Sequence, residues 1–184
     1  MVVLGLLVGT GATAVDGWFV RASQKLLGAD PVWMLVFNQV WVLLPLLAVA
    51  VAITLRRRQW RLAVVMALCP PLAVVGARVL KVFFDRRWEG VLAYPSGHTT
   101  AVITVASMLV LALGVRWWTV AAAVVFSIIG SIAMASNPYH YFTDIIGGAL
   151  YGTSMVCLAV LVAGPAAPST AHAAASPGLT RSRN

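Results

Sequence analysis

Residues 97–115, GHTTAVITVASMLVLALGV, form a stretch of 19 residues without a single Asp, Glu, Lys or Arg. A helix of about 20 apolar residues spans the hydrocarbon core of a membrane. Comparable stretches lie on both sides of it, and the 184-residue chain is 61% hydrophobic and only 10% charged. Soluble domains average about 45–50% apolar and about 25% charged residues. The sequence therefore predicts an all-α, polytopic membrane protein and excludes an ordinary soluble globule, a disordered chain and a disulfide scaffold.

The chain contains six apolar stretches long enough to be membrane spans. They cover residues 2–20, 31–55, 62–83, 97–115, 119–136 and 140–163. The third contains Pro70 and Pro71, which should kink or break a helix. We therefore expect residues 1–163 to form one membrane-embedded bundle of six transmembrane helices. Residues 164–184 are rich in Ala, Pro, Ser and Thr, a composition typical of a disordered tail.

The basic residues that give the chain its formal net charge of +8 are distributed unevenly between the two sides of the membrane. With six spans, one side collects Arg56, Arg57, Arg58, Arg61, Arg116, Arg181 and Arg183. An excess of Lys and Arg marks the cytoplasmic side of a membrane protein. The pattern predicts a multi-pass protein of the plasma membrane with cytoplasmic termini and with loops 84–95 and 137–139 outside. Since topology accounts for the positive charge, no nucleic acid partner is expected.

Four basic side chains break this distribution, because they lie at the outer end of the third span: Arg78, Lys81, Arg86 and Arg87. A single cation at this depth can extend its long side chain to the lipid headgroups. Four cations within ten residues, next to a short polar loop, instead indicate a binding site for an anion.

The tetrapeptide Pro-Ser-Gly-His at residues 95–98 lies where the outer loop turns into the fourth span. Ser96 is suited to cap the helix N-terminus, and Gly97 lets a ligand approach the backbone closely. The free N–H groups and partial positive charge of a helix N-terminus bind anions. His98 lies in the first turn, where it can donate a proton to a bound group. A simple cap with a polar interface residue is the structural alternative.

His140 and Asp144 are four residues apart and so share one face of the sixth span. A carboxylate that holds one imidazole nitrogen fixes the tautomer and makes the other nitrogen a better base or nucleophile. Ionisable groups at membrane depth mark functional sites. The same spacing continues to Gly148 and Gly152, a small-residue seam that predicts close packing against a neighbouring helix. A helix cap with a salt bridge is the alternative explanation of the pair.

Taken in order, these groups resemble the motifs of the type 2 phosphatidic acid phosphatase family, integral-membrane, metal-independent lipid phosphatases with a vanadium-haloperoxidase-like fold. The resemblance covers about residues 30–160. Residues 95–98 match the family's middle motif, and His140 with Asp144 match the His-x-x-x-Asp end of its last motif. The resemblance implies a six-helix membrane fold with an extracytoplasmic site, and no metal or other cofactor.

The resemblance also implies roles for the matched residues. His140 would attack phosphorus and form a phosphohistidine, with Asp144 orienting its ring. His98 would protonate the leaving alkoxide and later activate the water that releases phosphate. Three groups would bind the phosphoryl oxygens and stabilise the charge of the transition state: Lys81, Ser96 and the backbone of Gly97.

Two positions depart from the family's motifs. The first motif has Arg-Pro starting seven residues after its Lys, but Trp88 and Glu89 stand there. The last motif has Ser-Arg where this chain has Ala133 and Met134. Loss of a bidentate arginine would remove several kcal/mol of transition-state stabilisation. The replacement cations available to the phosphate site are Arg78, Arg86 and Arg87.

The expected function is hydrolysis of a phosphomonoester or pyrophosphate of a membrane lipid at the outer face of a bacterial cell envelope. Polyprenyl phosphate-type carriers and polyprenyl-phosphosugar phosphates are favoured substrates, because carriers are recycled on that face; phosphatidic acid and phosphatidylglycerol phosphate are alternatives. Three other functions stay open. The chain could be a catalytically degenerate member that binds lipid phosphate or scaffolds a partner enzyme. It could instead be a phosphotransferase or, given its Pro70-Pro71 break, a transporter.

Overall fold

The computed structural model describes residues 1–27, 32–136 and 140–164. The predicted loop 137–139 lies outside the described residues, as does the predicted tail beyond residue 164. The helices are α1 (Val2–Val8), α2 (Ala14–Leu27), a 3-10 helix (Val32–Asn38), α3 (Val40–Arg56), α4 (Trp60–Phe84), α5 (Gly97–Leu113), α6 (Trp117–Ser136) and α7 (Phe142–Ala163). A short antiparallel hairpin, β1 (Arg87–Trp88) and β2 (Val91–Leu92), separates α4 from α5.

Helix α5 is the centre of the bundle, because it packs against each of α3, α4, α6 and α7. Its buried residues include Val105, Met108 and Ala112. Met108 belongs to a cluster that also contains Ala50 of α3 and Ala159 of α7. The small side chains in this cluster allow the helices to approach closely, as in membrane-embedded bundles.

Within the described parts of the chain, three helices are long and apolar enough to cross a membrane, namely α4, α6 and α7. Helices α3 and α5 are also apolar but have 17 residues each. Many large apolar side chains on these helices face outward, among them Leu72, Val79 and Leu161. The chain is therefore a membrane protein built mainly of helices, as the composition predicts.

The predicted first span at residues 2–20 is wrong as a single helix, because the chain forms α1 and α2 with a break between them. Gly9 has a φ of 60°, a left-handed value that ends α1. Thr13 and Asp16 then form a reciprocal capping box at the start of α2. The Thr13 N–H donates to Asp16 Oδ2 at 2.8 Å, and the Asp16 N–H donates to Thr13 Oγ1 at 3.3 Å.

The next two predicted spans are also corrected in part. The stretch 31–55 contains the 3-10 helix and α3 rather than one helix, with Gln39 as the N-cap of α3. The expected break at Pro70 and Pro71 is absent, because α4 continues through both. Cys69, Pro70 and Ala73 are buried against neighbouring helices, and this packing holds the segment helical although each proline lacks an N–H donor.

The two ends of the bundle differ in chemistry. The Nη1 of Arg57 donates to the Ala112 carbonyl at 2.6 Å, which joins the α3–α4 turn to the end of α5. The basic α3–α4 and α5–α6 junctions therefore lie at one end. The opposite end carries the hairpin, the N-terminus of α5 and the start of α7, where Ser96 N–H donates to the Asp144 carbonyl at 3.0 Å.

Candidate active site

The N-terminus of α5 is built as predicted. Ser96 is the N-cap, and its Oγ accepts a hydrogen bond from the Thr99 N–H at 3.4 Å. Ser96 is fully buried, whereas a Cβ added at Gly97 would meet no described atom within 4 Å. The first turn of α5 therefore has open space beside its backbone, into which its free N–H groups can bind an anion.

Helix α7 packs directly onto this N-terminus, as the small-residue seam predicts. A Cβ at Gly148 would collide with the backbone carbonyl of Ser96, and one at Gly152 would lie 3.2 Å from Ile103. The Thr100 hydroxyl donates to the Ser96 carbonyl at 2.8 Å and lies 3.2 Å from the Gly148 carbonyl. The absence of a side chain at Gly148 thus determines how closely the helices bearing the two motifs approach.

The two candidate catalytic histidines face each other across the α5–α7 boundary. Their ring centroids are 6.3 Å apart, with an interplanar angle of 63°. His140 is buried and His98 is exposed. His98 interacts electrostatically with both His140 and Lys81, and Lys81 interacts with Asp144. Two imidazoles, a carboxylate and an ammonium group are therefore gathered at one end of the bundle.

Lys81 is held in place by the hairpin. Its Nζ donates to the Leu92 carbonyl at 2.8 Å, and its side chain is half-buried. This ammonium group has two further protons for hydrogen bonds, so it can bind an anion at the same time. Lys81 thus remains a candidate phosphate ligand.

Comparison with known proteins gives one family. Residues 82–166 match the family model of the PAP2 superfamily. This match covers just under half of the chain and is consistent with a member of the type 2 phosphatidic acid phosphatase family. Members of this superfamily are generally phosphatases, which indicates an activity on phosphate esters. Neither the curated proteins nor the solved structures contain a significant match to the chain.

The His140–Asp144 pair is close but not hydrogen-bonded. Asp144 Oδ2 lies 3.8 Å from His140 Nδ1 and accepts a hydrogen bond from the Tyr141 N–H at 3.1 Å. Among the described residues, His140 Nδ1 has no hydrogen-bond partner. The carboxylate therefore lies beside the Nδ1 edge of the ring, and Nε2 is on the other edge.

Arg86 is not placed as a phosphate ligand, in contrast to the expectation from the sequence. Its side chain is 1% exposed and lies between two carboxylates. Nη1 donates to Asp144 Oδ1 at 2.7 Å and to the Thr143 hydroxyl at 2.6 Å, and Nη2 donates to Asp16 Oδ2 at 2.9 Å. The guanidinium also lies 4.4 Å from the centre of the Tyr141 ring. The positive charge of Arg86 is therefore paired with buried carboxylates inside the protein.

Asp16 is the site residue that the sequence reasoning missed. It is 1% exposed, and its Oδ1 accepts hydrogen bonds from the Thr143 N–H at 2.8 Å and the Thr143 hydroxyl at 2.9 Å. Burial acts to raise the pKa of Asp16, but the hydrogen bonds from Thr143 and Thr13 outweigh it and hold the pKa below its usual value. Two sequence signals were available: an ionisable residue in an apolar stretch, and the capping-box pair Thr13 and Asp16.

The other two candidate arginines are on the surface. The Arg87 guanidinium pairs with Asp85 at 2.8 Å, and these side chains are 56% and 62% exposed. Arg78 is exposed one turn before Lys81, with which it interacts electrostatically. Of the three candidate arginines, only Arg78 forms no ion pair among the described residues, and it lies one helical turn from Lys81.

The two motif departures have different surroundings. Trp88 packs edge-on against Tyr141 at 4.4 Å between ring centroids, so the hairpin lies next to the start of α7. Met134 is buried in an apolar cluster with Ile145 and Phe142. Met134 therefore fills space beside the start of α7 without supplying charge.

Tyr94 connects the chain terminus to the loop before α5. Its hydroxyl donates to the Met1 carbonyl at 2.6 Å, and burial raises its pKa to about 12, so it stays a donor at neutral pH. Its ring packs where Cβ atoms at Gly5 and Gly147 would lie. Helix α1 is therefore packed against the same end of the bundle. Among the described residues, no three His, Cys, Asp or Glu side chains are grouped to hold a metal ion.

Proposed function

We propose that this protein is a metal-independent lipid phosphatase that works through a phosphohistidine at His140. The observation that carries the proposal is the pairing of His140 and His98 across the α5–α7 boundary, 6.3 Å between ring centroids. Lys81 and the capped N-terminus of α5 lie in the same cluster. A nucleophile, a proton donor and positive charge are the groups that phosphoryl transfer from an ester requires.

In the first step, His140 Nε2 attacks phosphorus. An N–P bond forms as the P–O bond to the lipid alkoxide breaks, and His98 gives its proton to that oxygen. Asp144, 3.8 Å from Nδ1, favours the proton on that nitrogen and stabilises the positive charge that develops on the ring. The lipid alcohol leaves, and the phosphoryl group stays on His140.

In the second step, water replaces His140 on phosphorus. His98, now neutral, takes a proton from the water while the hydroxide portion bonds to phosphorus and the N–P bond breaks. Inorganic phosphate leaves, His140 returns to its neutral form and His98 is protonated again. The phosphoryl oxygens are bound throughout by Lys81, the Ser96 hydroxyl and the backbone N–H of Gly97, which lower the barrier because they are already in place.

A lateral cavity supports a lipid rather than a small soluble substrate. It has a volume of about 740 Å³ and lies between α5, α6 and α7. Its lining is apolar and includes Ile103, Ile128, Ile145 and Ala149. It reaches Phe142, two residues after His140, so a headgroup at the histidines would direct its tail into this space. Polyprenyl phosphates or pyrophosphates and polyprenyl-phosphosugar phosphates are the favoured substrates, with phosphatidic acid and phosphatidylglycerol phosphate next.

The proposed location is the plasma membrane, with cytoplasmic termini and the site on the outer face. The arginines of the α3–α4 and α5–α6 junctions lie at the bundle end opposite the site, which supports this orientation under the positive-inside rule.

A second candidate is a non-catalytic member that binds lipid phosphate or scaffolds a partner enzyme. The observation that favours it is the placement of the arginines. Arg86 is bound by two carboxylates, Arg87 pairs with Asp85, and Met134 stands in place of the last motif's arginine. A site that lacks a bidentate clamp would retain affinity through Lys81 but lose rate.

The decisive experiment is phosphate release by the purified protein in detergent, with EDTA, across polyprenyl and glycerolipid phosphates. His140→Ala, Met134→Arg and, as a matched histidine control, His172→Ala are assayed with wild type. Release that EDTA spares, that His140→Ala abolishes and that His172→Ala retains supports the phosphatase. Activity only in Met134→Arg supports the non-catalytic binder. A trapped phosphoenzyme whose release depends on an alcohol acceptor identifies a phosphotransferase instead.

A further inference from the structure

We propose that Asp16, which lies outside the segment matching the PAP2 superfamily, is a positioning residue that keeps Asp144 electrostatically available to His140. The inference rests on the proposed phosphohistidine mechanism. Asp16 acts through Arg86 and is not itself in contact with the reacting atoms.

The geometry is a buried chain of three charges. Arg86 extends from the start of the hairpin between the two carboxylates, at 2.9 Å from Asp16 Oδ2 and 2.7 Å from Asp144 Oδ1. All three side chains are at most 2% exposed. In such surroundings charges interact more strongly than in water, because solvent does not screen them.

The net charge of Asp16, Arg86 and Asp144 together determines the electrostatic environment of His140. One cation between two anions leaves a net charge of −1, with Asp144 Oδ2, which accepts from the Tyr141 N–H, on the side of His140. Without the Asp16 charge, Arg86 would neutralise Asp144, and His140 would face a neutral pair. Among the described residues, His98 on α5 faces His140 and Lys81 on α4 interacts with His98, and neither of these groups supplies negative charge.

Asp16 also aligns the helix that carries the pair. Its Oδ1 accepts from both the backbone N–H and the hydroxyl of Thr143, the residue before Asp144. Its Oδ2 is fixed by Thr13 at 2.7 Å. The N-terminus of α2 is therefore attached to the first turn of α7, which defines where Asp144 stands relative to the His140 ring.

The charge on Asp144 determines which tautomer of His140 is favoured. A negative Asp144 facing Nδ1 favours the tautomer with the proton on Nδ1 and a free Nε2, which is the nucleophilic form. If the pair is neutralised, that preference weakens and a smaller share of the protein carries a nucleophilic Nε2.

The test is ring-¹⁵N histidine NMR of the full-length protein in detergent. The chain has three histidines, so the His140 signals can be assigned with His98→Gln and His172→Gln. We expect Asp16→Asn to lower the Nδ1-protonated share of His140. Asp85→Asn, which removes an exposed carboxylate that pairs with Arg87, should match wild type. A folded Asp16→Asn protein with the wild-type tautomer ratio would overturn the proposal.

A double variant covers the case in which Asp16→Asn does not fold. Asp16→Asn with Arg86→Gln removes both charges and leaves Asp144 negative, while the introduced amide can still donate a hydrogen bond to its Oδ1. We expect the Nδ1 tautomer to be favoured as in wild type. Loss of that preference in the folded double variant would contradict the charge balance.

Kinetics separate this inference from the proposed function. For an active enzyme, Asp16→Asn should lower kcat by about 10–100-fold, with KM changed less than about twofold, because supporting residues act on the reacting group and not on substrate affinity. An inactive wild type with the expected NMR result would refute the phosphatase but retain the charge balance. An active wild type with kcat unchanged in Asp16→Asn would refute the role of Asp16 alone.

Discussion

The guanidinium of Arg86 donates to Asp144 Oδ1 at 2.7 Å, and both side chains are buried. The family motif has an arginine in this loop that binds substrate phosphate. Arg86 and Arg87 both precede that position of the motif. Arg86 binds Asp144 instead, the carboxylate beside the proposed nucleophile His140. In the proposed mechanism, the positive charge that remains for substrate comes from Lys81 and the N-terminus of α5.

Replacement of His98 should affect substrates according to their leaving group. For His98→Ala, we expect a loss of about 10²–10⁴-fold on an alkyl phosphate, because a general acid contributes about that much when the leaving alkoxide is a strong base. An aryl phosphate, whose phenolate leaves without protonation, should lose far less. The difference is measured in kcat/KM, which reports formation of the phosphohistidine, because the later attack of water, in which His98 also acts, is common to both ester classes.

His140→Ala is the control for that comparison, because loss of the nucleophile should abolish turnover of both esters. Equal losses on both classes in His98→Ala would contradict its role as the general acid.

Gly148→Ala should displace both the tetrapeptide at residues 95–98 and the pair His140 and Asp144. The added Cβ would collide with the Ser96 carbonyl, so α5 and α7 must separate at the site. We expect a destabilisation of about 1–3 kcal/mol, typical of overpacking, and a fall in kcat of at least about tenfold, since small displacements are costly at a catalytic site. Thermal unfolding and phosphate release measure the two effects.

Gly11→Ala is the matched control, because a Cβ there would meet no described atom within 4 Å. If Gly148→Ala behaved like Gly11→Ala, the close approach of α7 to Ser96 would have no functional importance.

Stability should depend on pH through Asp16. Because its folded-state pKa lies below the usual value of 3.8, its contribution is present above that value and is lost as pH falls through the folded-state pKa. At pH 7, Asp16→Asn should cost about 3 kcal/mol, since one partner of a buried ion pair is removed. The free-energy difference between wild type and variant should shrink below about pH 4.

Denaturation of both proteins in detergent between pH 3 and pH 7 gives this difference directly. Asp85→Asn, at a pair more than half exposed, should show almost none of it. A difference for Asp16→Asn that stayed constant across the range would mean that the pKa of Asp16 is the same in the folded and unfolded protein, which would contradict the prediction.

A larger side chain in the lateral cavity should raise KM for long-chain substrates but not for short ones. Ala149→Phe would fill part of the space between α5, α6 and α7. We expect KM for a long-chain lipid phosphate to rise by about tenfold, since each buried CH₂ contributes about 0.8 kcal/mol and two are enough. KM for a short, water-soluble phosphate ester should stay the same.

Leu150→Phe is the control, because the adjacent Leu150 is 44% exposed and is not part of the cavity lining. The same change of KM in both variants, or an equal effect on short and long esters, would argue against this cavity as the tail site.

The helices of the second half follow from local sequence. The apolar stretches 97–115, 119–136 and 140–163 correspond to α5 (Gly97–Leu113), α6 (Trp117–Ser136) and α7 (Phe142–Ala163). The N-cap at Ser96 was predictable because capping involves residues three apart. The N-terminal stretch was misread because its apolar composition outweighed Gly9 and the capping box of Thr13, which divide it into two helices.

The sequence by itself determined the membrane class, the positions of the later helices and the candidate residues of the site, since these depend on composition and on spacings of three or four residues. Only the tertiary structure decided that Arg86 binds Asp16 and Asp144, which lie 70 and 58 positions away. Three candidate arginines have equal standing in the sequence. Which of them is buried depends on how α2, the hairpin and α7 pack together, because a buried cation requires carboxylates at hydrogen-bond distance, and local spacing does not encode that proximity.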